Sequence, residues 1–269
     1  MTPFSASDAA LEGFNLIRRQ WRIVLGWAGF NLVALVLLVV VTAVMGVVAA
    51  AVGGGAKESV TAVAGGVVGV GALVIQAIIA GGVFRVELRP DEPAFMHLRL
   101  GADEFRLLGV WFVTLTGAWV ALWAATLLGG LIHVRGLWLD LVAAVLLIGL
   151  GLRFSLAAPI CFADGRIDFV RSWRLTRGRA LALLGMQALS LCLIGLVMIA
   201  VLLALSLVAA RSAGLDGIAG LFGGADSLQR HPGLYVLEFA VEIILTPVLW
   251  ILGLAPLTAA YKAFAQPTE

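Results

Sequence analysis

Glu238 and Glu242 stand four residues apart in an otherwise apolar stretch, so on a helix both carboxylates share one face. Paired carboxylates inside a membrane suit proton transfer or cation binding, and ionisable residues there are costly enough to be default functional candidates. The plainer expectation is that both reach the outer headgroups, or pair with Arg211 or Arg230 in the polar 211–231 loop. Arg153 is the third ionisable residue of this kind. Asn31, Gln76, Gln187 and Ser190 fall at comparable depth in the inner halves of their apolar stretches. Amides facing lipid would leave donors and acceptors unpaired at several kcal/mol each, so the set should turn inward. One chemistry this allows is a polar pocket open to the cytoplasm, with Arg153 facing an anionic group such as a lipid phosphate. The other is helix–helix glue at about 0.6 kcal/mol per bond, with Arg153 reaching back to the inner headgroups, and glue is the expected reading.

The residues that commonly carry catalysis do not assemble. His97, His133 and His231 fall on loops on both sides of the apolar stretches, which rules out one shared metal. No serine has His and Asp partners at a common depth. Gly65, Gly66, Gly69 and Gly71 lack the Lys-Ser/Thr of a phosphate-binding loop, so nucleotide binding is excluded. No cofactor or metal is expected, and the chain reads as non-enzymatic. Transport of a small solute or ion through Glu238 and Glu242 is the alternative.

The elements that must position these residues are membrane spans. The 269-residue chain is 62% hydrophobic and only 13% charged, with mean hydropathy +1.07. Soluble domains run near 45–50% apolar and about 25% charged. Apolar stretches at about 23–52, 60–84, 105–132, 138–162, 180–210 and 235–264 each reach the roughly 20 residues needed to cross a bilayer core. The expected fold is therefore all-α: a single integral domain over 1–269, a polytopic bundle of six transmembrane helices. A cleavable leader is not expected, because Asp8 and Glu12 precede an apolar run far longer than the roughly 7–15 residues of a signal core. Cys161 and Cys192 read as small core residues with no disulfide or zinc spacing.

Charge orients the bundle. Of 18 Lys and Arg residues, only Lys57, Arg135, Arg211 and Arg230 fall in the loops after spans one, three and five. The rest lie at the opposite ends, which the positive-inside bias makes cytoplasmic, with both termini on that side. The chain's two tyrosines, Tyr235 and Tyr261, stand about 39 Å apart along span six, near the spacing of the two aromatic belts. A net charge of +2 reflects this partition between loops and offers no basic stripe to nucleic acid.

Three similar units emerge. Each has a leading amphipathic segment, an outward span, a short turn and a return span. The leading segments are 5–21, 94–106 and 167–177. In the first, Leu11, Phe14, Ile17 and Trp21 share a face, with Ser7 or Asp8 as N-cap. In the third, Phe169, Val170 and Trp173 share a face flanked by Arg171, Arg174 and Arg177. Such segments suit helices lying in the headgroup layer, basic residues toward anionic lipid. Gly65 and Gly69 have the GxxxG spacing of close helix contact. Intramolecular packing of span two is the expectation there. A homo-oligomer or another membrane protein is the alternative partner.

Residues 153–159 (Arg-Phe-Ser-Leu-Ala-Ala-Pro), 172–178 (Ser-Trp-Arg-Leu-Thr-Arg-Gly), 254–261 (Leu-Ala-Pro-Leu-Thr-Ala-Ala-Tyr) and 98–104 (Leu-Arg-Leu-Gly-Ala-Asp-Glu) carry a resemblance. The chain resembles a broad group of six-helix bacterial inner-membrane proteins. That group is related to the membrane domain attached to some glycerophosphoryl diester phosphodiesterases. The resemblance implies a bacterial inner-membrane location and a link to lipid or envelope metabolism. In those fusions the hydrolase chemistry belongs to a separate soluble domain, so the resemblance implies no catalytic residue here. The function expected is a non-enzymatic protein that assists, senses or organises envelope lipid, partnered by the bilayer and its anionic lipids.

Overall fold

The computed structural model describes residues 4–52, 54–92, 95–131, 137–221 and 231–265, so Arg135, His133 and Arg230 lie outside the described residues. The described chain is all-α. In order it runs α1 (Ala6–Arg19), α2 (Trp21–Val52), α3 (Gly54–Leu88), a 3-10 turn (Phe95–His97), α4 (Ala102–Leu131) and α5 (Leu137–Phe154). It continues through α6 (Ala157–Asp164), α7 (Phe169–Thr176), α8 (Ala180–Gly220) and α9 (Pro232–Ala265). Six segments are long and apolar enough to cross a membrane, and the protein is a multi-pass membrane protein. Large apolar residues such as Val33, Val47, Phe112, Val145 and Leu181 stand exposed along these helices, an arrangement only lipid can solvate.

Burial separates central from peripheral spans. The most apolar stretches of α3 and α9 are each 44% buried, against 6% for α2 and none of α8. The core gathers where α3 and α9 meet α1, α4 and α6. Phe84 packs on Phe162, ring centroids 5.2 Å apart, and Trp111 stacks on Trp250 at 5.2 Å. Phe4 meets Phe264 at 4.8 Å, which puts the two described ends of the chain together. That end carries the arginine-rich turns. Lys57, 28 residues before Arg85 on α3, is about 42 Å away at the other end.

Prolines explain the interruptions. The expected span 138–162 is broken into α5 and α6 at Ser155–Leu156. Pro159 lacks an N–H, and its ring collides with the carbonyl four residues back, that of Ser155. Pro247 and Pro256 instead sit inside α9. There Asn31 Nδ2 donates to the Ile243 carbonyl at 3.2 Å, the carbonyl whose helical donor Pro247 lacks. A neighbouring helix repairs the ladder, as membrane interiors require.

Several sequence expectations are corrected. Within the expected segment 94–106, residues 95–101 do not form an amphipathic helix. Pro90 precedes it, Met96 and His97 take positive φ of 49° and 60°, and α4 starts only at Ala102. The N-cap of α1 is Ser5, whose hydroxyl accepts from Asp8 N at 3.3 Å. Ser7 and Asp8 are already helical. Gly65, Gly66 and Gly69 are exposed, with nothing within 4 Å of a built Cβ. The α2-facing side of α3 is that of Gly71, where a Cβ would lie 2.7 Å from Leu38 Cδ2. Tyr261 is buried among Leu156, Ile160 and Met186, with its side chain turned into the bundle. Cys192 is exposed, whereas Cys161 is buried.

Candidate functional site

The arginine-rich end is built around one guanidinium. Arg85 closes the last turn of α3, where it is 1% exposed. It is paired with the fully buried Glu104, and its Nη1 donates to the His97 carbonyl at 2.9 Å. Glu104 also accepts from Gly101 N at 2.9 Å, so it caps α4 from the third helical position, as in half of a capping box. Two glycines make room. A Cβ on Gly81 would stand 2.5 Å from Glu104 Oε1, and one on Gly82 would stand 3.0 Å from the Trp27 ring. Trp27 Nε1 in turn donates to the Met96 carbonyl at 2.8 Å. The strained Met96–His97 turn is thus held from α2 and α3 at once, with Phe95 79% exposed at its tip. Around this clamp Arg89 bonds Glu92 and Asp103, and Arg106 bonds Asp103. Sequence reading missed this pair, although Gly101-x-x-Glu104 ahead of an apolar run is a recognisable helix-start signal.

The two helices that lead the first and third units present apolar side chains outward. On α1, Ala9, Ala10, Gly13 and Leu16 are buried against α9, where a Cβ on Gly13 would meet Leu252 Cα at 2.9 Å. At about 100° per residue, Leu11 and Phe14 fall on another sector with Arg18 between them, all exposed. Helix α7 is inverted relative to a soluble surface helix. Its buried residues are the hydroxyls Ser172 and Thr176, while Val170 and Trp173 are 67% and 43% exposed. Ser172 Oγ donates to the Arg153 carbonyl at 2.7 Å, and Thr176 Oγ1 to the Trp173 carbonyl at 3.1 Å. Asp168 caps α7 through Arg171 N at 2.8 Å. Arg171 pairs with Asp164, whereas Arg174 and Arg177 are exposed.

The polar residues singled out in the sequence are dispersed. Asn31 is spent on Ile243, and Ser190 bonds the Met186 carbonyl of its own helix at 2.9 Å. Gln76 and Gln187 are half-buried on α3 and α8. No hydrogen bond joins either of them to Arg153 among the described residues. Arg153 turns toward α7, its guanidinium 5.1 Å from the Trp173 ring centre, with Nη1 enclosed and without an acceptor. On α9, Glu238 is half-buried and Glu242 exposed, whereas the packed side of that stretch is Ile243 and Pro247. No ion pair links either glutamate to Arg211 among the described residues. No group of three His, Cys, Asp or Glu side chains is placed to hold a metal ion among the described residues.

Among the described residues, clefts open between helices at this end, and two of them are built alike. One, of about 610 Å³, lies between α2 and α3 beneath the 95–100 turn, with Gly26, Phe30, Met96 and Arg99 in its walls. The other, of about 630 Å³, lies between α4 and α5 beneath Phe169 of α7. Each is thus formed by a helical hairpin and roofed by the segment that leads the next unit. Comparison with family models, curated proteins and solved structures finds no match to this chain.

Proposed function

We propose that this chain is a non-enzymatic protein of a bacterial inner membrane that organises anionic lipid at the inner leaflet, with both termini and the arginine-rich turns in the cytoplasm. The observation that carries this reading is the inversion of α7. A short helix that buries two hydroxyls and exposes Val170 and Trp173 beside Arg174 is matched to acyl chains below and phosphates above. Helix α1 repeats the arrangement with Leu11, Phe14 and Arg18. Each basic residue near an anionic surface contributes about 1 kcal/mol of attraction, so the exposed set Arg18, Arg174 and Arg177 supplies a modest, additive preference. The resemblance to the membrane domain of glycerophosphoryl diester phosphodiesterases agrees with a lipid role.

The test is the lipid retained on purification in mild detergent. Anionic lipid should exceed its share of the membrane, and the triple variant R18Q/R174Q/R177Q should return it to that share. Retained lipid that mirrors the bulk membrane in the unaltered protein contradicts the proposal. Transport through Glu238 and Glu242 is the competing reading, and it predicts solute or ion flux in proteoliposomes that E242Q abolishes.

A further inference from the structure

We infer that the α4–α5 cleft is a binding site for one anionic phospholipid, holding an acyl chain between the helices and its phosphate at Arg153. This assignment rests on the proposed role at the lipid interface and names the ligand and the residues that hold it.

The cleft is shaped for an alkyl chain. Its volume of about 630 Å³ falls within the roughly 300–1,000 Å³ of sites that enclose small molecules. Val113, Gly117, Leu147, Gly151, Phe154 and Phe169 line it. The hydroxyl of Thr114, also in the wall, is spent on the Val110 and Trp111 carbonyls of its own helix, so it presents its methyl group. Gly117 and Gly151 have no heavy atom within 4 Å of a built Cβ, so the space beside them is open. Phe112, Leu115 and Leu146 on the flanking faces are exposed, and a chain can enter sideways from the bilayer without crossing water.

A charge sits behind one wall, at Arg153, which does not itself line the cleft. Phe154, a wall residue, packs on Phe169 at 5.5 Å and on Trp173 at 5.9 Å, and the Arg153 guanidinium lies over that same Trp173 ring. Its Nη1 is enclosed with no acceptor. A guanidinium N–H left so is expensive, and the aromatic groups around it offer no lone pair. A turn of the Arg153 side chain toward the cleft brings it to an anionic oxygen of the ligand, and Arg is the side chain suited to grip a phosphate in two places. Asn31, Gln76, Gln187 and Ser190 take no part.

The probe is phosphatidylglycerol titrated onto delipidated protein in detergent, with bound molecules counted by native mass spectrometry. The unaltered protein should hold one molecule more tightly than the rest. Gly151→Leu and Gly117→Leu, which fill the cleft from opposite walls, should each weaken that molecule by about tenfold, the equivalent of two buried methylenes. Arg153→Gln should abolish its preference over phosphatidylcholine, with Arg153→Lys recovering part. Thermal unfolding of each variant separates loss of the site from loss of the fold. Tight binding unchanged in both glycine variants overturns the cleft while leaving lipid organisation by α1 and α7 standing. Absence of any phosphatidylglycerol preference in the unaltered protein overturns both. A dimer that dissociates on cleft filling, with lipid binding unchanged, assigns the cleft to a second copy and also overturns the inference.

Discussion

Asn31 and Pro247 are partners that never touch through a hydrogen bond of their own. Proline at 247 leaves the Ile243 carbonyl without its helical donor, and the Asn31 amide, on another helix, supplies it at 3.2 Å. A polar residue in α2 thereby lets α9 pass through the bundle unbroken, and the two helices are fixed in register by one bond.

This relationship predicts a coupled pair. Asn31→Leu should lower stability by about 1–3 kcal/mol, the cost of an orphaned buried carbonyl. Pro247→Ala restores the missing N–H, so in that background Asn31→Leu should cost much less. A double-mutant cycle on unfolding in detergent reads the difference, and strictly additive effects would contradict it.

The Arg85–Glu104 pair predicts asymmetric damage. Arg85→Leu leaves Glu104 charged and buried, a loss of about 3–5 kcal/mol expected from breaking an enclosed ion pair. The double variant R85L/E104L should recover part of the lost folded yield, because neither charge is then left without a partner. A double variant worse than both single ones would show that the pair acts in some further way.

The glycines of α3 should divide sharply. Gly81→Ala places a methyl group 2.5 Å from Glu104 Oε1 and should cost about 1–3 kcal/mol through overpacking. Gly65→Ala meets nothing within 4 Å and should be neutral or stabilising by up to about 1 kcal/mol, given the helix propensity of alanine. Thermal midpoints of the two variants decide, and the reverse order would place the close helix contact at the GxxxG stripe after all.

Orientation is open to a direct check. A reporter fused after Glu269 should be active in the cytoplasm, and one inserted in the 222–230 segment should be active on the far side. Activity of the terminal fusion only outside the cytoplasm would invert the bundle and remove the lipid-leaflet reading.

What was legible beforehand follows from which forces are local. Six spans could be read because each buries or exposes apolar residues over twenty or more positions, a signal that needs no partner. Asn31 could be read as turning inward, yet its partner was a backbone carbonyl exposed by a proline 216 positions away in the chain, and only packing brings the two together. The break at Ser155 was encoded by Pro159, but Pro247 and Pro256 show that the same residue type can be absorbed when a helix is supported. In the sequence, Arg85 and Glu104 are single charges at the edges of two apolar stretches. Their burial depends on Gly81 admitting a carboxylate against α3, which hydropathy does not register. Of the apolar face expected for α7, Val170 and Trp173 are exposed, whereas Phe169 packs inward on Phe154. The role of Ser172 and Thr176 as its packed side emerged only from the contact with Arg153.

The depth of α7 is the central claim, and one spin-label measurement reads it. With the exposed Cys192 replaced by serine and the buried Cys161 retained, Val170→Cys carries a nitroxide on the outward face of the helix. In liposomes containing phosphatidylglycerol, its relaxation should respond strongly to oxygen and weakly to a water-soluble nickel chelate, placing it at the acyl–headgroup boundary. A label accessible to the nickel chelate as freely as one in open solution would put α7 in water and contradict the account.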